Sequence, residues 1–239
     1  MRGVRHLGGL AGNGASLANA GASGTATGPT LVDTACMWQA EAGSANDYRV
    51  TVDVSGLGIQ SGDLIIAAAV ADSSFDSPST YISSSGFTTL ATDSNKARWS
   101  YKVADGTEAE IVGEDCRLGG VWIYTIRGVV EPSAADIADA KAVYASSAAS
   151  GVNAPVMTHS DYDAMFFVSV TVGNGFAIPG TGIDAPMQTV IWSEGAGTGD
   201  KKSFATLYVG SGYAFSLTFT QMTASYSRKF CFRLGLRTS

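Results

Sequence analysis

Charge is scarce in this sequence. Only 15% of its 239 residues are Asp, Glu, Lys or Arg, against roughly a quarter in an average soluble domain. Apolar residues make up 45%, a balance expected of β-sheets whose outer faces carry Ser, Thr and Gly, or of a protein covered by neighbours. Histidine occurs only as His6 and His159, neither with a second His at ligand spacing, so no His-built metal site is expected. The three cysteines, Cys36, Cys116 and Cys231, show no CxxC or CxxH spacing, which leaves no zinc or thiol-redox motif. Cys231 lies between Phe230 and Phe232, the setting of a buried small apolar side chain. One disulfide stays open, with reduced thiols of a cytosolic origin the expectation. No window approaches the roughly 20 apolar residues of a membrane-spanning helix. The first 24 residues contain arginines and Ala-x-Ala-like positions, but glycines break the apolar centre that a signal peptide needs. Proline is also sparse, 6 against 29 glycines, which points to many turns rather than long helices.

The charge that is present is unevenly placed. The net charge is −6, yet the last twelve residues hold Arg228, Lys229, Arg233 and Arg237 with no acid, a local +4 that leaves −10 on the rest. An acidic body argues against nonspecific binding to nucleic acid or to a membrane surface. The basic end either docks on an acidic neighbour or flanks a final strand as solvated charge.

Residues 1–30 are rich in Gly, Ala and Ser, with Val4, Leu7, Leu10 and Leu17 as apolar points, the composition of an extended arm. From residue 31 to residue 239 short β-like runs alternate with turn residues. The clearest are 48–54, 63–70, 87–91, 97–103, 121–127, 164–172, 187–193, 204–209, 214–220 and 229–236. Only 133–143 (SAADIADAKAV) has a weak helical pattern, or else is an extended connection. Gly62-Asp63-Leu64 opens one set of strands and Tyr162-Asp163-Ala164 opens a similar set about one hundred residues later. Two pseudo-similar halves, about 48–130 and 160–239, follow from this. The expected fold is all-β, an antiparallel β-sandwich of jelly-roll or immunoglobulin-like kind with an extended N-terminal arm. A single sandwich of roughly eight to ten strands is favoured over two small β-domains.

Chemistry-bearing residues form no familiar constellation. His159 with Asp161 and Asp163 lacks a nucleophile in a Gly-x-Ser-x-Gly elbow and reads as loop composition. Glu108, Glu110, Glu114 and Asp115 are close in sequence, and a glycosidase needs two carboxylates facing one cleft, but the Asp105-Gly106 step marks a turn and a solvated loop accounts for them. Asp72, Asp76 and Asp93 offer oxygens to a calcium ion at spacings that match no calcium loop, so turn aspartates are the reading. Gly8-Gly9, Gly173-x-Gly175 and Gly195-x-Gly197-x-Gly199 lack the strand–glycine–helix setting of a nucleotide site. Trp38, Tyr81, Trp99, Tyr101, Trp192 and Tyr213 are candidate stacking platforms for sugars. Trp99 and Tyr101 share a strand face, a spacing that equally describes core residues and is read as core or interface. No catalytic residue, cofactor or metal site is assigned.

The order GDLIIAAAV, SSGFTTLA, WSYKVADGTE, VWIYTIRGV resembles a β-sandwich structural protein family of tailed bacteriophages. The likeness covers residues 61–130 well and 131–239 only in general pattern; Ile126 stands where the family usually has Tyr. These motifs specify turns and core rather than chemistry. The resemblance implies a non-enzymatic virion protein, made in the host cytoplasm; capsid decoration is favoured over a head or tail fibre component because no coiled coil or repeat-rich shaft follows the arm. It implies other virion proteins as partners, the major capsid protein or tail and head proteins, and a homo-oligomeric or multi-copy state. Within that reading Val4, Leu7 and Leu10 are the expected apolar anchors of the arm. Arg2, Arg5, Arg233 and Arg237 are then expected to meet acidic surface. The alternative is a carbohydrate-binding or adhesin module that recognises host glycans.

Overall fold

Val50, Val52 and Val54 point inward while Thr51 and Asp53 are exposed, the period of two that a half-buried strand imposes on its side chains. The run LIIAAAV is buried along its whole length, as a strand must be when both of its faces are covered. The computed structural model describes residues 28–38, 48–71, 80–93, 96–116, 119–146, 152–153, 157–158, 162–172, 178–179, 187–194, 201–209, 214–215, 218–220 and 228–238.

Eight strands make the first half: β1 (Thr30–Trp38), β2 (Val50–Asp53), β3 (Leu64–Val70), β4 (Tyr81–Ile82), β5 (Thr88–Asp93), β6 (Ala97–Val103), β7 (Glu110–Glu114) and β8 (Gly120–Arg127). They form a five-stranded sheet in the order β1-β8-β3-β6-β5 and a three-stranded sheet in the order β2-β7-β4. The antiparallel pairings β1–β8, β2–β7 and β3–β6 are nested one inside the next. Such nesting is the winding of a jelly roll, and it selects between the two sandwich kinds that the sequence left open.

Helix α1 (Ala134–Asp139) follows, then β9 (Lys141–Ser146), β10 (Val152–Asn153), β11 (Met157–Thr158), β12 (Ala164–Val172), β13 (Ile178–Pro179), β14 (Met187–Glu194), β15 (Lys201–Val209), β16 (Ala214–Phe215), β17 (Thr218–Thr220) and β18 (Arg228–Leu236). The orders are β14-β15-β12-β18-β9 and β10-β17-β13, with β11 and β16 as an added pair. Exchange β1 for β9, β3 for β12, β5 for β14, β6 for β15 and β8 for β18, and the first five-stranded sheet becomes the second. Register repeats as well: Leu64 lies opposite Ile126 and Val103 in one sheet, Ala164 opposite Leu236 and Val209 in the other.

The two five-stranded sheets face one another. One core cluster joins Leu64, Ile66, Trp99, Trp122 and Tyr124 to Phe166, Leu207, Phe230, Phe232 and Leu234. Trp99 stacks on Phe232 with centroids 4.7 Å apart and planes 13° from parallel. Tyr124 meets Phe166 at 5.4 Å in a tilted arrangement. At the rims β1 lies against β14 and β5 against β9, contacts that the strand exchange converts into each other, as a local two-fold axis would. A second cluster fills the first jelly roll: Ile65, Ala67, Ala69, Val121 and Ile123 pack on Val50, Val52, Ile82 and Ile111. Adjacent residues of β3 therefore belong to different cores.

The connection between halves is pinned at several points. Gly128 turns with φ +78°, Val129 is buried, and Val130 N–H donates to the Arg237 carbonyl. Ser133 and Asp136 then form a capping box that starts α1, and Ile137 packs on the inter-sheet core.

Several elements differ from the sequence reading. The helical pattern at 133–143 yields a helix only to Asp139, because Lys141, Ala142 and Val143 pair with β18. The segment holding Glu110 and Glu114 is a strand rather than a solvated loop: it pairs with β2, and Ile111, Val112 and Gly113 are buried. The run 214–220 divides into β16 and β17. The arm residues 1–27 lie outside the described residues.

Truncating Phe232 to Ala removes one partner of the inter-half stack and leaves a cavity, a change worth about 3–5 kcal/mol. For a chain of this size that corresponds to a fall in Tm of roughly 6–20 °C, measurable by calorimetry. A fall under about 2 °C would contradict a shared core at this position.

Candidate functional site

The turns that close the first jelly roll use the residues most suggestive of chemistry. Gly62 has φ +91°, a backbone state that glycine adopts without strain, and it presents Asp63 at the entrance to β3. The carboxylate is buried, accepts from Gln60 N–H at 2.8 Å and is gripped by the last residue of β8. Arg127 Nε donates to Oδ1 and Nη2 to Oδ2, both at 2.8 Å, while Nη2 also reaches the Gly58 carbonyl at 3.0 Å. The Asp63 hydrogen bond holds the guanidinium pKa above its ordinary value. A forked pair of this kind ties the start of one central strand to the end of its neighbour.

Glu108 serves the turn after β6 in the same way. Its Oε1 takes the Asp105 N–H at 2.9 Å and its Oε2 the Gly106 N–H at 3.0 Å, and Lys102 Nζ lies 2.9 Å from Oε1. Burial works against its charge, but the Lys102 ammonium and these amides hold its pKa below the usual range. Glu114 accepts from the Ser83 hydroxyl at 3.0 Å and faces Arg49 at 3.7 Å. Each of these two carboxylates has its own cation, Lys102 for Glu108 and Arg49 for Glu114.

The second half places Asp163 where the first has Asp63, and Arg237 where it has Arg127, but the pairing differs. Asp163 Oδ2 accepts from Thr238 N–H at 2.8 Å and from its hydroxyl at 3.0 Å. Arg237 turns instead to Asp136 Oδ1, 3.2 Å from Nη2, and lies over the Tyr162 ring at 4.8 Å. Tyr162 covers Gly235, where a Cβ would fall 2.5 Å from the ring, and its hydroxyl donates to Asp139 Oδ2 at 3.3 Å. Burial and then the charges of Asp139 and Asp136 push the Tyr162 pKa up to about 12. Asp136 is penalised by burial, yet the Ser133 hydroxyl and N–H and the Arg237 guanidinium hold its pKa below the carboxylate range. The Thr238 amide and hydroxyl do the same for Asp163.

The partner-binding candidates fall in different settings. Arg2, Val4, Arg5, Leu7 and Leu10 lie outside the described residues. Arg237 is half-exposed and engaged with Asp136. Arg233, read from sequence as part of a basic docking end, is only 5% exposed and sits on the face of β18 turned away from the inter-sheet core. Trp99 and Tyr101 are core side chains, which removes them as sugar platforms, whereas Tyr81 is exposed. Trp38 lies on β1 and Trp192 on β14; Tyr213 lies outside the described residues, as do His6, His159, Asp161, Asp72, Asp76 and the glycines within 8–9, 173–175 and 195–199. No disulfide joins Cys36, Cys116 and Cys231, and burial pushes the thiol of Cys116 up to about 12. Among the described residues no group of three His, Cys, Asp or Glu side chains is placed to hold a metal ion. The Tyr162–Gly235 contact was missed in sequence, although a glycine inside an apolar strand signals close approach of another group.

Comparison with protein-family models, with curated proteins and with solved structures finds no match.

The depressed carboxylate pKa values fix the sign of the pH dependence. A group easier to ionise when folded adds stability above its unfolded pKa, and that stability is lost as pH falls through the folded value. Asp136→Asn should therefore lower stability at pH 7, and the gap from the parent chain should shrink as both are acidified to about pH 3. Urea unfolding at the two pH values measures it; a gap that stays constant would mean that the charge of Asp136 contributes nothing.

Proposed function

We propose that this chain is a non-enzymatic structural protein of a tailed-phage virion, with capsid decoration favoured over a head or tail fibre component. The observation that carries the reading is the use made of the motif residues. Asp63, Arg127, Lys102, Asp105 and Glu108, which carry the resemblance to phage β-sandwich proteins, are spent on closing turns and joining strands. A sequence that invests its charged motif residues in rigidity is suited to a passive part. Jelly rolls also recur as capsid modules, though fold alone decides no function.

In this account the body is a rigid unit and the attachment lies at its ends. The arm, with Val4, Leu7 and Leu10 as apolar anchors and Arg2 and Arg5 as charges, lies along neighbouring virion proteins. An extended segment gains affinity from backbone hydrogen bonds and a few side-chain anchors once a partner orders it. Arg237, half-exposed beside the acidic residues of α1, is the C-terminal residue best placed to meet an acidic neighbour. The glycan-binding alternative loses Trp99 and Tyr101 as platforms because both are buried.

Limited proteolysis of the purified chain, set beside the same chain in purified particles, tests the proposal. Cleavage within residues 1–27 of the free protein, with protection in the particle, is the expected result. Equal susceptibility in both, or absence of the chain from particles, would overturn it.

A further inference from the structure

The two halves act as controls for each other, and one position breaks their correspondence in an informative way. Arg233 of β18 lies opposite Phe167 of β12, just as Ile123 of β8 lies opposite Ala67 of β3. Ile123 is fully buried among apolar side chains of the first jelly roll. The fold therefore accepts a hydrocarbon here, and nothing in its winding calls for a cation.

Arg233 is nevertheless 5% exposed, and its Nε and Nη1 have no hydrogen-bond partner among the described residues. Asp139 and Tyr162 act on it electrostatically, but neither accepts from those two nitrogens. Burial makes the charged form harder to keep, so its pKa lies below the ordinary arginine value. A guanidinium enclosed without its hydrogen bonds is costly. Directly across the ladder the neighbour is Lys141, an exposed residue that replaces the partly buried Ala35 of the first half. Like charges directly opposite one another repel and share a face of the sheet. Two cations thus stand where the sister half has two apolar residues, one sealed and short of acceptors, the other reaching solvent.

We propose that Arg233 and Lys141 form a binding site for a carboxylate, which satisfies the buried guanidinium and is approached from the Lys141 side. The inference is independent of the virion reading, because it needs only the fold, the missing acceptors and the apolar counterpart. The carboxylate is either a free small anion or an acidic side chain carried on another protein.

Thermal unfolding of the full chain, measured in chloride and at the same ionic strength with acetate or with a short oligoglutamate peptide, tests the site. A ligand that binds only the folded state raises Tm, by roughly 5 °C when present at about a hundred times its Kd. The rise should vanish in Arg233→Met, whose side chain keeps most of the volume, and should need several-fold more ligand in Lys141→Ala. A response to acetate assigns the site to free carboxylates; a response to the peptide alone assigns it to a carboxylate on a protein chain. No rise with either ligand, or a rise unchanged in Arg233→Met, overturns the proposal. Should Arg233→Met fail to fold, an unchanged response in Lys141→Ala overturns it equally.

Discussion

Face-to-face packing of the two five-stranded sheets constrains most of what surrounds it. The interface is built from large rings, with Trp99 on Phe232 and Tyr124 against Phe166, and a ring buried on both sides contributes more than any surface pair on this chain. Because β3 also faces the smaller sheet β2-β7-β4, its residues must be apolar on both sides, and the run LIIAAAV meets that demand. Small alanines at 67–69 let the layers on both sides approach, while Trp99 and Trp122 fill the space left on the inter-half side. The connecting segment is then fixed between the layers by its capping box, by Ile137 and by the Val130–Arg237 hydrogen bond. Freedom of one half relative to the other would require opening this core.

The repeated strand order and register describe two copies of one winding, related as partners in a two-fold dimer are. What the copies share is held by packing; where they diverge, polar groups have been reassigned. Asp63 and Arg127 grip each other directly. At the equivalent places Asp163 caps the chain end through Thr238 and Arg237 joins α1 through Asp136, so the same two residue types also secure the link between halves. The exchange of Ile123 for Arg233 worsens the local energetics, and for that reason it points outside the fold for its explanation.

The central strands were legible in the sequence because their patterns are strong. β6 and β12 begin and end where the runs 97–103 and 164–172 predict. The edge strands β5 and β14 were also legible, as the runs 87–91 and 187–193, but the edge strands β1 (TLVDTACMW) and β9 (KAVYAS) were not, because neither alternates regularly and their apolar stretches are only four residues long. Glu110 and Glu114 disguised β7 by flanking its buried centre with charge. Turn motifs were recognised as turns, yet the Asp63–Arg127 grip joins residues far apart in the chain and becomes visible only with the topology. Arg233 was taken for surface charge, although period-two counting already placed it with Cys231 and Gly235, away from Phe232 and Leu234. Counting fixed the face, and only the neighbouring layers show whether that face is covered.

Hydrogen exchange followed along a urea series tests the central claim most directly, because it reports each strand separately. If the halves share one core, amides of β3 in the first half and of β12 in the second lose protection together at a single urea midpoint. Two midpoints, with β12 exchanging while β3 stays protected or the reverse, would contradict the shared core and describe two jelly rolls that fold independently.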